Sequence, residues 1–575
     1  MSALRKARTL VRLARWGTTL LRRDVQRAQL VPGNPKFTTA REAVARIRDG
    51  AAVGVSGLAA QQRASVLYWA LREAFSETRH PRGLTLLNVG GHGSRGLLPG
   101  SLDELALPGL CTRLVTSHFE TFRPFLDLAA HGRCELQCLP LGVMARLYAA
   151  LGRGEDSLLS ATGIGTFLDP RTGRGSPLRN GRREQLVTVE GDLLRYRIPQ
   201  IDVALFNLPA ADRSGNLYAT DCTMIGDAVE LAQAVRRRGG IVIANVGRLV
   251  DEDPDRALLS AKSVDAIVLH PGTEQTPAYT HADPWSAVTV GADAIAEALE
   301  QARFVQHLAG LVGGVAQRGA VDDAVVRLAA TTLATAVRKN ATVAIGAGMP
   351  EGVARIVFES GRLDEVTFLV ESGVVGGLPA PGAYFGASFA PREIVSTAEL
   401  FQRCERGLDA ACLGALEVDA KGNVNVSRRG RGVRHYAGPG GFIDFTEAAR
   451  TLVFVCGWMR GGEIAVRRGL VQLRSPGEPK FVERVSEVTF DAERALAAGK
   501  QIYYVTPVGV LRRTSRGIEL AAIMPGIDLR EDVLGMTPIE IALPQGGEIP
   551  VVARSVVDGE GFHLPGWSRA GPERA

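Results

Sequence analysis

The feature that most constrains the fold of this chain is an internal duplication. Residues 202–217 (DVALFNLPAADRSGNL) resemble residues 409–424 (DAACLGALEVDAKGNV), with two Asp, a Gly and an Asn recurring at the same spacing. Residues 47–57 (IRDGAAVGVSG) and 337–347 (VRKNATVAIGA) form a second similar pair, in the same order along the chain. Self-similarity of this kind indicates that one folding unit occurs twice. We therefore predict two related halves.

Each predicted half alternates short apolar runs with segments of helical period, which is typical of parallel sheets covered by helices. The runs that predict buried strands are Val53–Val55, Leu84–Val89, Val203–Phe206, Ile241–Val246, Val343–Ile345, Val366–Val370, Ala411–Leu416 and Leu452–Cys456. The segments that predict helices are Ala40–Arg48, Gln62–Ala74, Asp227–Arg238 and Asp322–Arg338. The fold class predicted from these patterns is α/β, with two related open domains built on mainly parallel sheets.

The same patterns predict the domain boundaries. A Pro- and Gly-containing break at residues 32–35 separates an N-terminal segment from the body, and the stretch LVGGVAQRGA at 311–320 reads as a linker. We expect a first domain over 33–305, a linker over 306–322, a second domain over 323–555 and an irregular tail over 556–575. A Gly- and Arg-rich stretch, Gly152–Gln185, reads as an insertion in the first half.

The positive charge of the chain is concentrated at its N-terminus. Residues 1–31 hold eight basic residues against Asp24, a net charge of +7, whereas the whole chain carries +6. The body therefore has no general attraction to nucleic acid. On a helical wheel Arg5, Arg8, Arg12, Arg15 and Arg22 share one face, and the opposite face holds Leu10, Leu13, Ala14, Leu20 and Leu21. Residues 1–32 are thus predicted to form a basic amphipathic helix. It either lies on an anionic membrane surface, acts as a targeting sequence, or packs on its own protein or on a neighbouring subunit.

The cysteines indicate the compartment. There are seven, an odd number, and they are scattered along the chain without the spacing of a zinc site or a disulfide framework. We therefore expect a cytoplasmic protein without a structural metal. No apolar run approaches the roughly 18–20 residues that span a bilayer.

The most informative stretch for function is VTFLVESGVVGG, residues 366–377. Glu371 follows a strand-like run and is followed by Gly373, Gly376 and Gly377. Ligands of open parallel sheets bind beyond the carboxyl ends of the strands, and glycines leave backbone N–H groups accessible there. A desolvated carboxylate beside such donors can act as a covalent nucleophile. From the residues alone, a turn-capping role for Glu371 remains the alternative.

The stretch ESGVVGG resembles the E-x-G-x-x-G signature of family I CoA-transferases. Other segments are similar to this family in the same order: GIGTFLDPRTGRG (163–175), IDVALFNLPAADRSGNLY (201–218), GAGMPEGVA (346–354), DAKGNVNVS (419–427) and GPGGFIDF (438–445). The resemblance covers about residues 35–550, and it matches the type in which the family's α and β halves are fused in a single chain. It implies a CoA-transferase fold with the active site between the halves.

The resemblance also implies the chemistry. Glu371 would be the nucleophile of a ping-pong reaction through a glutamyl-CoA thioester, which moves CoA from an acyl-CoA to a free carboxylic acid of the short-chain or ketoacid class. CoA would be a substrate, with no permanently bound cofactor and no metal, and the chain is expected to form a homo-oligomer. The implied pocket residues are Gly57, Gln61 and Gly373, and the implied CoA contacts are Gly376, Gly377, Gly440 and Gly441, the last two preceding a strand-like Phe442–Phe445.

Two departures from the family pattern keep alternatives open. The loop after the first predicted strand, SGLAAQQRA (56–64), keeps only Gly57 of the usual glycine-rich oxyanion loop, so that Gln61 or Gln62 would have to supply an amide. Leu141 stands where the family commonly has a glutamine, and loss of one oxyanion donor typically costs about 10²–10³ in rate. An acyl-CoA hydrolase and a catalytically impaired CoA-binding protein are therefore the alternative functions.

A second loop, GGHGSRG (90–96), follows the predicted strand Leu84–Val89. If the halves are pseudo-symmetric, this loop lies at the same rim as Glu371, where His92 and Arg95 would meet a substrate carboxylate or a CoA phosphate. The alternative for His92 is a solvated loop histidine.

Overall fold

The structure is a computed structural model that describes residues 1–178, 184–275, 284–311 and 318–569. Its strands in the first half are β1 (Ala52–Leu58), β2 (Leu84–Gly90), β3 (Cys111–Thr116), β4 (Glu135–Cys138), β5 (Leu158–Ser160), β6 (Val187–Glu190), β7 (Leu193–Tyr196), β8 (Val203–Ala211), β9 (Leu217–Tyr218), β10 (Ile241–Leu249) and β11 (Ala266–Leu269). Seven strands of the main sheet have the order β11-β10-β8-β1-β2-β3-β4 with parallel neighbours, and β9 pairs antiparallel with β8.

The second half contains a ten-stranded sheet and several short ladders. Its strands are β12 (Ala341–Ile345), β13 (Val366–Val370), β14 (Val374–Val375), β15 (Leu378–Pro379), β16 (Ser388–Phe389), β17 (Glu393–Ile394), β18 (Leu408–Gly414), β19 (Glu417–Asp419), β20 (Val424–Asn425), β21 (Ala449–Val455), β22 (Met459–Arg460), β23 (Glu463–Arg467), β24 (Leu470–Ser475), β25 (Glu478–Pro479), β26 (Phe481–Val482), β27 (Gln501–Thr506), β28 (Gly509–Thr514), β29 (Gly517–Ile523) and β30 (Ile541–Ala542). The sheet order is β17-β14-β13-β12-β18-β21-β27-β28-β29-β30.

The two main sheets repeat one strand order. In the first half β2-β1-β8-β10-β11 are parallel neighbours, and in the second half β13-β12-β18-β21-β27 are parallel neighbours in the same chain sequence. The predicted α/β class with two related, mainly parallel sheets is therefore confirmed. The repeat makes β13, which precedes Glu371, the equivalent of β2 in the first half.

Helices cover the faces of both sheets. They are α1 (Ala3–Arg22), α2 (Ala40–Val44), α3 (Ser65–Thr78), α4 (Arg123–Ala130), α5 (Leu141–Arg153), α6 (Ala228–Arg237), α7 (Ile295–Leu311), α8 (Ala320–Ala336), α9 (Met349–Glu359), α10 (Thr397–Arg406), α11 (Phe442–Ala448), α12 (Ala492–Ala497) and α13 (Arg554–Asp558). Because helices pack on the first sheet, all nine residues of β8 are buried. One large hydrophobic cluster contains buried residues of both halves, so the halves share a core.

Several local predictions differ from the structure. The strand-like stretch Phe442–Phe445 is the start of helix α11, because four apolar residues carry no period that separates a strand from a buried helical turn. Part of the predicted linker 306–322 is helical, since α7 ends at Leu311 and α8 begins at Ala320, while residues 312–317 lie outside the described residues. Residues 179–183 of the predicted insertion also lie outside them, and the domain boundaries stay a prediction.

The buried residues of the N-terminal helix agree with the predicted apolar face at one position only. They are Thr9, Trp16 and Leu20, of which Leu20 belongs to the predicted face, whereas Leu10 and Leu21 of that face are exposed. The position of the buried face follows from the partners available on the body, such as Glu274, which accepts a hydrogen bond from Trp16 Nε1 at 3.3 Å. Among the described residues, no helix combines the length and the apolar character needed to cross a bilayer.

Candidate active site

Glu371 directly follows strand β13 and lies on a tight turn. The N–H of Gly373 donates a hydrogen bond to the carbonyl oxygen of Val370 at 3.0 Å, which closes the turn. Gly373 has a φ of +101°, and a Cβ atom there would lie 2.0 Å from the carbonyl oxygen of Val395. Only glycine fits this position, so the turn that carries Glu371 beyond the strand depends on it.

The carboxylate of Glu371 contacts the glycine pair before α11. The N–H of Gly441 donates a hydrogen bond to Glu371 Oε2 at 2.9 Å. A Cβ atom at Gly441 would lie 2.6 Å from Oε2, and one at Gly440 would lie 3.5 Å from it. The sequence predicts that Gly440 and Gly441 contact CoA. In the structure both glycines lie beside the carboxylate of Glu371.

Burial changes the acid strength of Glu371. The pKa of Glu371 is raised to about 7, chiefly by desolvation; the Gly441 N–H opposes this shift and the neighbouring Asp444 carboxyl adds to it. The side chain nevertheless keeps partial solvent exposure, which leaves a route for a substrate. A carboxylate that is weakly hydrated and close to neutral pKa is a better nucleophile than one in bulk water.

Asp444 is the residue that connects this site with the first half. Its carboxylate accepts hydrogen bonds from the N–H groups of Gly142 and Val143, both at 2.9 Å, at the beginning of α5. Burial raises the pKa of Asp444 to about 7, and the Arg146 guanidinium, 4.0 Å away, opposes the shift. Sequence reasoning missed Asp444. An acidic residue three positions after a Gly-Gly pair indicates the first turn of a helix, and this pattern could have identified Asp444.

Leu141 lies beside the glycine pair. Its N–H donates a hydrogen bond to the carbonyl oxygen of Gly440 at 3.1 Å, and its side chain is buried. The segment that contains Leu141, which the resemblance places near the reacting carbonyl, is therefore next to Glu371. Its side chain at this position is apolar. The Phe401 ring fills the space between the beginnings of α5 and α11. A Cβ atom at Gly142 would lie 2.5 Å from this ring, and one at Gly441 would lie 3.0 Å from it.

A cavity of about 260 Å³ has Phe401 in its lining. It is lined by residues of both halves, among them Arg146, Ser160, Thr162, Phe401, Glu405 and Asp444. Arg146 forms an ion pair with Glu405 at the cavity wall. The cavity shares Phe401 and Asp444 with the surroundings of Glu371, and sequence reasoning did not indicate it, because its walls come from distant parts of the chain.

The altered first-half loop packs against the segment that follows Glu371. The buried Gln61 amide donates to the carbonyl oxygens of Tyr384 and Phe385 at 3.4 and 3.2 Å, and its Oε1 accepts from the Thr223 hydroxyl at 2.9 Å. The Gln62 amide donates to the Met224 carbonyl oxygen. An oxyanion role for either amide would require these bonds to open, and this role stays a prediction.

The remaining predicted glycines also have close neighbours. A Cβ atom at Gly57 would lie 2.5 Å from the His92 ring, and one at Gly377 would lie 2.3 Å from the carbonyl oxygen of Phe389. At Gly376 it would meet the Arg392 side chain at 2.8 Å. Close packing explains these glycines without a ligand, and their contact with CoA stays a prediction.

The loop after β2 does not offer a free histidine. His92 is fully buried, its Nδ1 lies 3.1 Å from the Ala59 carbonyl oxygen, and burial lowers its pKa to about 3. The interpretation of His92 as a solvated residue is therefore wrong. Arg95 forms an ion pair with Glu120 at 2.6 Å.

No cluster of metal ligands accompanies the site within the described ranges, and the seven cysteines are all free and buried.

Comparison with known proteins finds similarity to CoA-transferases. The model of the coenzyme A transferase family matches residues 37–270. The chain is 29% identical to caffeate CoA-transferase of Acetobacterium woodii over 513 residues, 87% of this chain and 93% of that protein. It is 28% identical to acetate CoA-transferase YdiF of Escherichia coli O157:H7 over 517 residues, 88% and 92% of the two chains.

A solved structure agrees. The crystal structure of the acyl-CoA transferase YdiF of Escherichia coli O157:H7, in a thioester complex with CoA, superposes with a TM-score of 0.80 at 26% identity, covering 92% of this chain and 98% of that one. The fold of two repeated, mainly parallel sheets is thus shared with an enzyme of this class. This chain is therefore similar to coenzyme A transferases, over residues 37–270 by the family model and through both of its halves by relatives that are single chains.

Proposed function

We propose that this chain is a CoA-transferase that moves CoA from an acyl-CoA to a free carboxylic acid, with Glu371 as the covalent nucleophile. The observation that supports this role is the position of the Glu371 carboxyl, which is partly exposed at the end of β13, bonded to the Gly441 N–H, and has a pKa raised to about 7. The similarity to CoA-transferases supports the class of reaction, and the geometry of this site supports the choice of residue.

The reaction proceeds in two half-reactions. Glu371 Oε1 attacks the thioester carbonyl, a C–O bond forms, the C–S bond breaks, and CoA leaves as a thiolate from an acyl-glutamyl anhydride. The thiolate attacks the glutamyl carbonyl, which releases the first acid and leaves a glutamyl-CoA thioester. The carboxylate of the acceptor acid reverses both steps. One thioester replaces another, so that CoA is a substrate and no ATP is consumed.

The Gly441 N–H has a defined task in this sequence. When the thiolate attacks the glutamyl carbonyl, negative charge develops on the carbonyl oxygen of Glu371 itself. Glu371 Oε2 already accepts the Gly441 N–H at 2.9 Å, so the donor is in place before the charge develops. Preorganised donors of this kind supply much of the transition-state stabilisation in acyl transfer. Gly440, beside Gly441, leaves room for the attacking sulphur.

The test is detection of the covalent intermediate. The purified protein is incubated with acetyl-CoA without an acceptor acid, reduced with borohydride and digested, and the peptide that carries Glu371 is analysed by mass spectrometry. We expect reduction of Glu371 to an alcohol in the wild type and no reduction in Glu371→Gln. Glu399→Gln is the matched control, because Glu399 is an exposed glutamate of the same half that pairs with Arg403. An unmodified Glu371, or undiminished exchange of label between thioester and free acid in Glu371→Gln, would contradict the proposal.

A second candidate is a CoA-binding protein with impaired catalysis. The observations that favour it are the buried apolar side chain of Leu141 beside Gly440 and the hydrogen bonds that already occupy the Gln61 amide. A product assay separates the candidates: formation of a new acyl-CoA that depends on the added carboxylic acid indicates transfer, release of free CoA without an acceptor indicates hydrolysis, and binding of acyl-CoA with neither product indicates the impaired protein.

We also propose the acyl class and the setting. The relatives named above act, by name, on caffeate and acetate. We expect this chain to use a small carboxylic acid of the short-chain or ketoacid class, and rate measurements with a series of acids would identify it.

The seven free thiols are typical of a reducing compartment, which favours the cytoplasm. A homo-oligomer is expected, and light scattering of the purified chain measures its number of subunits.

A further inference from the structure

Helix α1 is attached to the body along one side. The N-terminal amine of Met1 pairs with Glu300 at 2.9 Å, and Arg5 pairs with Glu297 at 2.8 Å, so that the beginning of α1 lies on α7. Further along, Trp16 and Leu20 are buried against the first half. These contacts fix the rotation of the helix about its axis, and therefore also the side that faces away from the protein.

The outward side carries an apolar stripe. Leu4, Leu10, Val11 and Leu21 are 63%, 48%, 52% and 72% exposed. At 100° per residue these four side chains fall within an arc of about 120°, and Ala7 and Ala14 lie between them. Of the twelve large apolar side chains that are exposed in the described residues, four lie on this single helix, so the stripe is a concentrated patch.

Arginines border the stripe on one side. Arg8, Arg12, Arg15 and Arg22 occupy the neighbouring arc and are all exposed. None of the four has an ion-pair partner anywhere in the ranges that the structure describes, although Arg5 and Arg23, which face the body, are both paired. The helix therefore presents unpaired positive charge next to unpartnered apolar surface.

These two properties together select the partner. An apolar stripe alone would suit a second copy of the same helix, but residues 1–31 carry a net charge of +7, and two such segments repel each other. An anionic bilayer offers apolar acyl chains at the depth of the leucines and phosphate groups at the depth of the arginines. We propose that helix α1 docks the enzyme on an anionic membrane surface, with Leu4, Val11 and Leu21 in the interface and the bordering arginines at the phosphates.

The test is sedimentation of the full-length protein with sucrose-loaded vesicles. We expect binding to phosphatidylcholine vesicles that contain 30% phosphatidylglycerol and at least tenfold weaker binding to pure phosphatidylcholine. Raising the salt from 0.1 to 0.5 M should weaken the binding to anionic vesicles, because the Debye length shortens from about 10 Å towards 4 Å. Equal sedimentation with both lipids, or with neither, would overturn the proposal.

Variants separate the stripe from the arginines. Val11→Asn/Leu21→Asn and Arg8→Gln/Arg15→Gln should each reduce binding at least fivefold, while CoA transfer in solution and the circular dichroism spectrum stay unchanged. The matched control is Val290→Asn, an apolar residue 55% exposed outside α1, which should bind as the wild type does. If light scattering shows that the stripe variant instead abolishes self-association, with vesicle binding intact, the face belongs to a second copy and the proposal is wrong. Binding is measured without turnover, so this result is independent of the catalytic proposal.

Discussion

The Asp444 carboxylate of the second half accepts the backbone N–H of Gly142 in the first half at 2.9 Å. The bond supplies a side-chain cap for α5, whose N-terminal N–H groups have no partner within the helix. Because Gly441, the donor to Glu371, lies three residues before Asp444, the position of that donor depends on a helix of the other half. Four predictions about the site and one about the buried core follow from contacts of this kind.

Asp444→Asn should move the pH profile of the first half-reaction. Glu371 attacks as a carboxylate and its pKa is raised to about 7, so the rate of glutamyl-CoA formation should rise with pH through about 7 in the wild type. Removing the like charge of Asp444 lowers the pKa of Glu371, and the rising limb should shift to lower pH. The apparent pKa belongs to the coupled pair, since Asp444 also titrates near 7. Quenched-flow mass spectrometry between pH 5.5 and 8.5 measures the rate of glutamyl-CoA formation. A pH profile that is the same in the variant and the wild type would contradict the interaction between Asp444 and Glu371.

Gly441→Ala should impair chemistry more than folding. The added methyl group would lie 2.6 Å from Glu371 Oε2 and displaces the carboxylate from its N–H donor. We expect kcat to fall by about 10²-fold, the usual cost of one lost oxyanion donor. Gly407→Ala, at the end of α10, is the control, because a Cβ atom there meets nothing within 4 Å. Equal activity of the two variants would show that the glycine pair has no catalytic role.

Glu371→Gln should stabilise the fold in alkaline but not in acidic solution. The folded-state pKa of Glu371 is raised from 4.5 to about 7, so the native state holds its proton more tightly than the unfolded state does. The wild type therefore loses stability as pH rises from about 4.5 to about 7, and the neutral glutamine does not. Thermal unfolding at pH 5 and pH 8 measures this, and the midpoint difference between variant and wild type should be larger at pH 8. A difference that does not grow with pH would indicate a solvated glutamate.

Gln61→Ala tests whether this amide is structural or catalytic. Its three hydrogen bonds hold Thr223 and the carbonyl groups of Tyr384 and Phe385, and removing them leaves buried polar groups unsatisfied. We expect a loss of about 1–3 kcal/mol in the free energy of unfolding, measured by denaturant titration. If stability is unchanged while kcat falls, the amide acts on the substrate, as the sequence suggested.

Glu274→Gln should be the most destabilising of these changes. Glu274 forms a bidentate, buried ion pair with Arg63 at 2.7 and 2.8 Å, and it accepts the Trp16 indole N–H of α1. Removal of one charge leaves Arg63 buried without a counter-charge, at a cost of about 3–5 kcal/mol. Glu77→Gln, which breaks the exposed pair with Arg41, should cost at most about 1 kcal/mol. Similar losses in the two variants, measured by chemical unfolding, would contradict the buried pair.

The sequence predicts the sheets better than it predicts the site. Strands β2 and β13 follow from runs of β-branched and apolar residues that are buried on both faces, and the end of β13 locates Glu371 without tertiary information. Asp444 could not be found in this way, because its partner Gly142 is 302 residues away and the contact exists only after both halves fold. The strand-like stretch Phe442–Phe445 is the start of α11, because a seven-residue helix is too short to show its period.

The N-terminal helix shows a second limit of sequence reasoning. A helical wheel ranks faces by hydropathy alone, and it placed Leu10 and Leu21 on the face expected to be covered. The covered face instead centres on Trp16, because an indole N–H finds a carboxylate on the body, and that carboxylate could not be located from the sequence.

The repeated strand order has a further consequence. The ends of β2 and β13 are topologically equivalent, yet β13 leads into Glu371, whereas β2 leads through Gly90 and Gly91 to a histidine sealed in the interior. The two copies of the scaffold therefore differ at this point: the second offers a carboxyl group after the strand, and the first offers a buried imidazole. If Glu371 is the nucleophile that we propose, the covalent bond forms in one copy only.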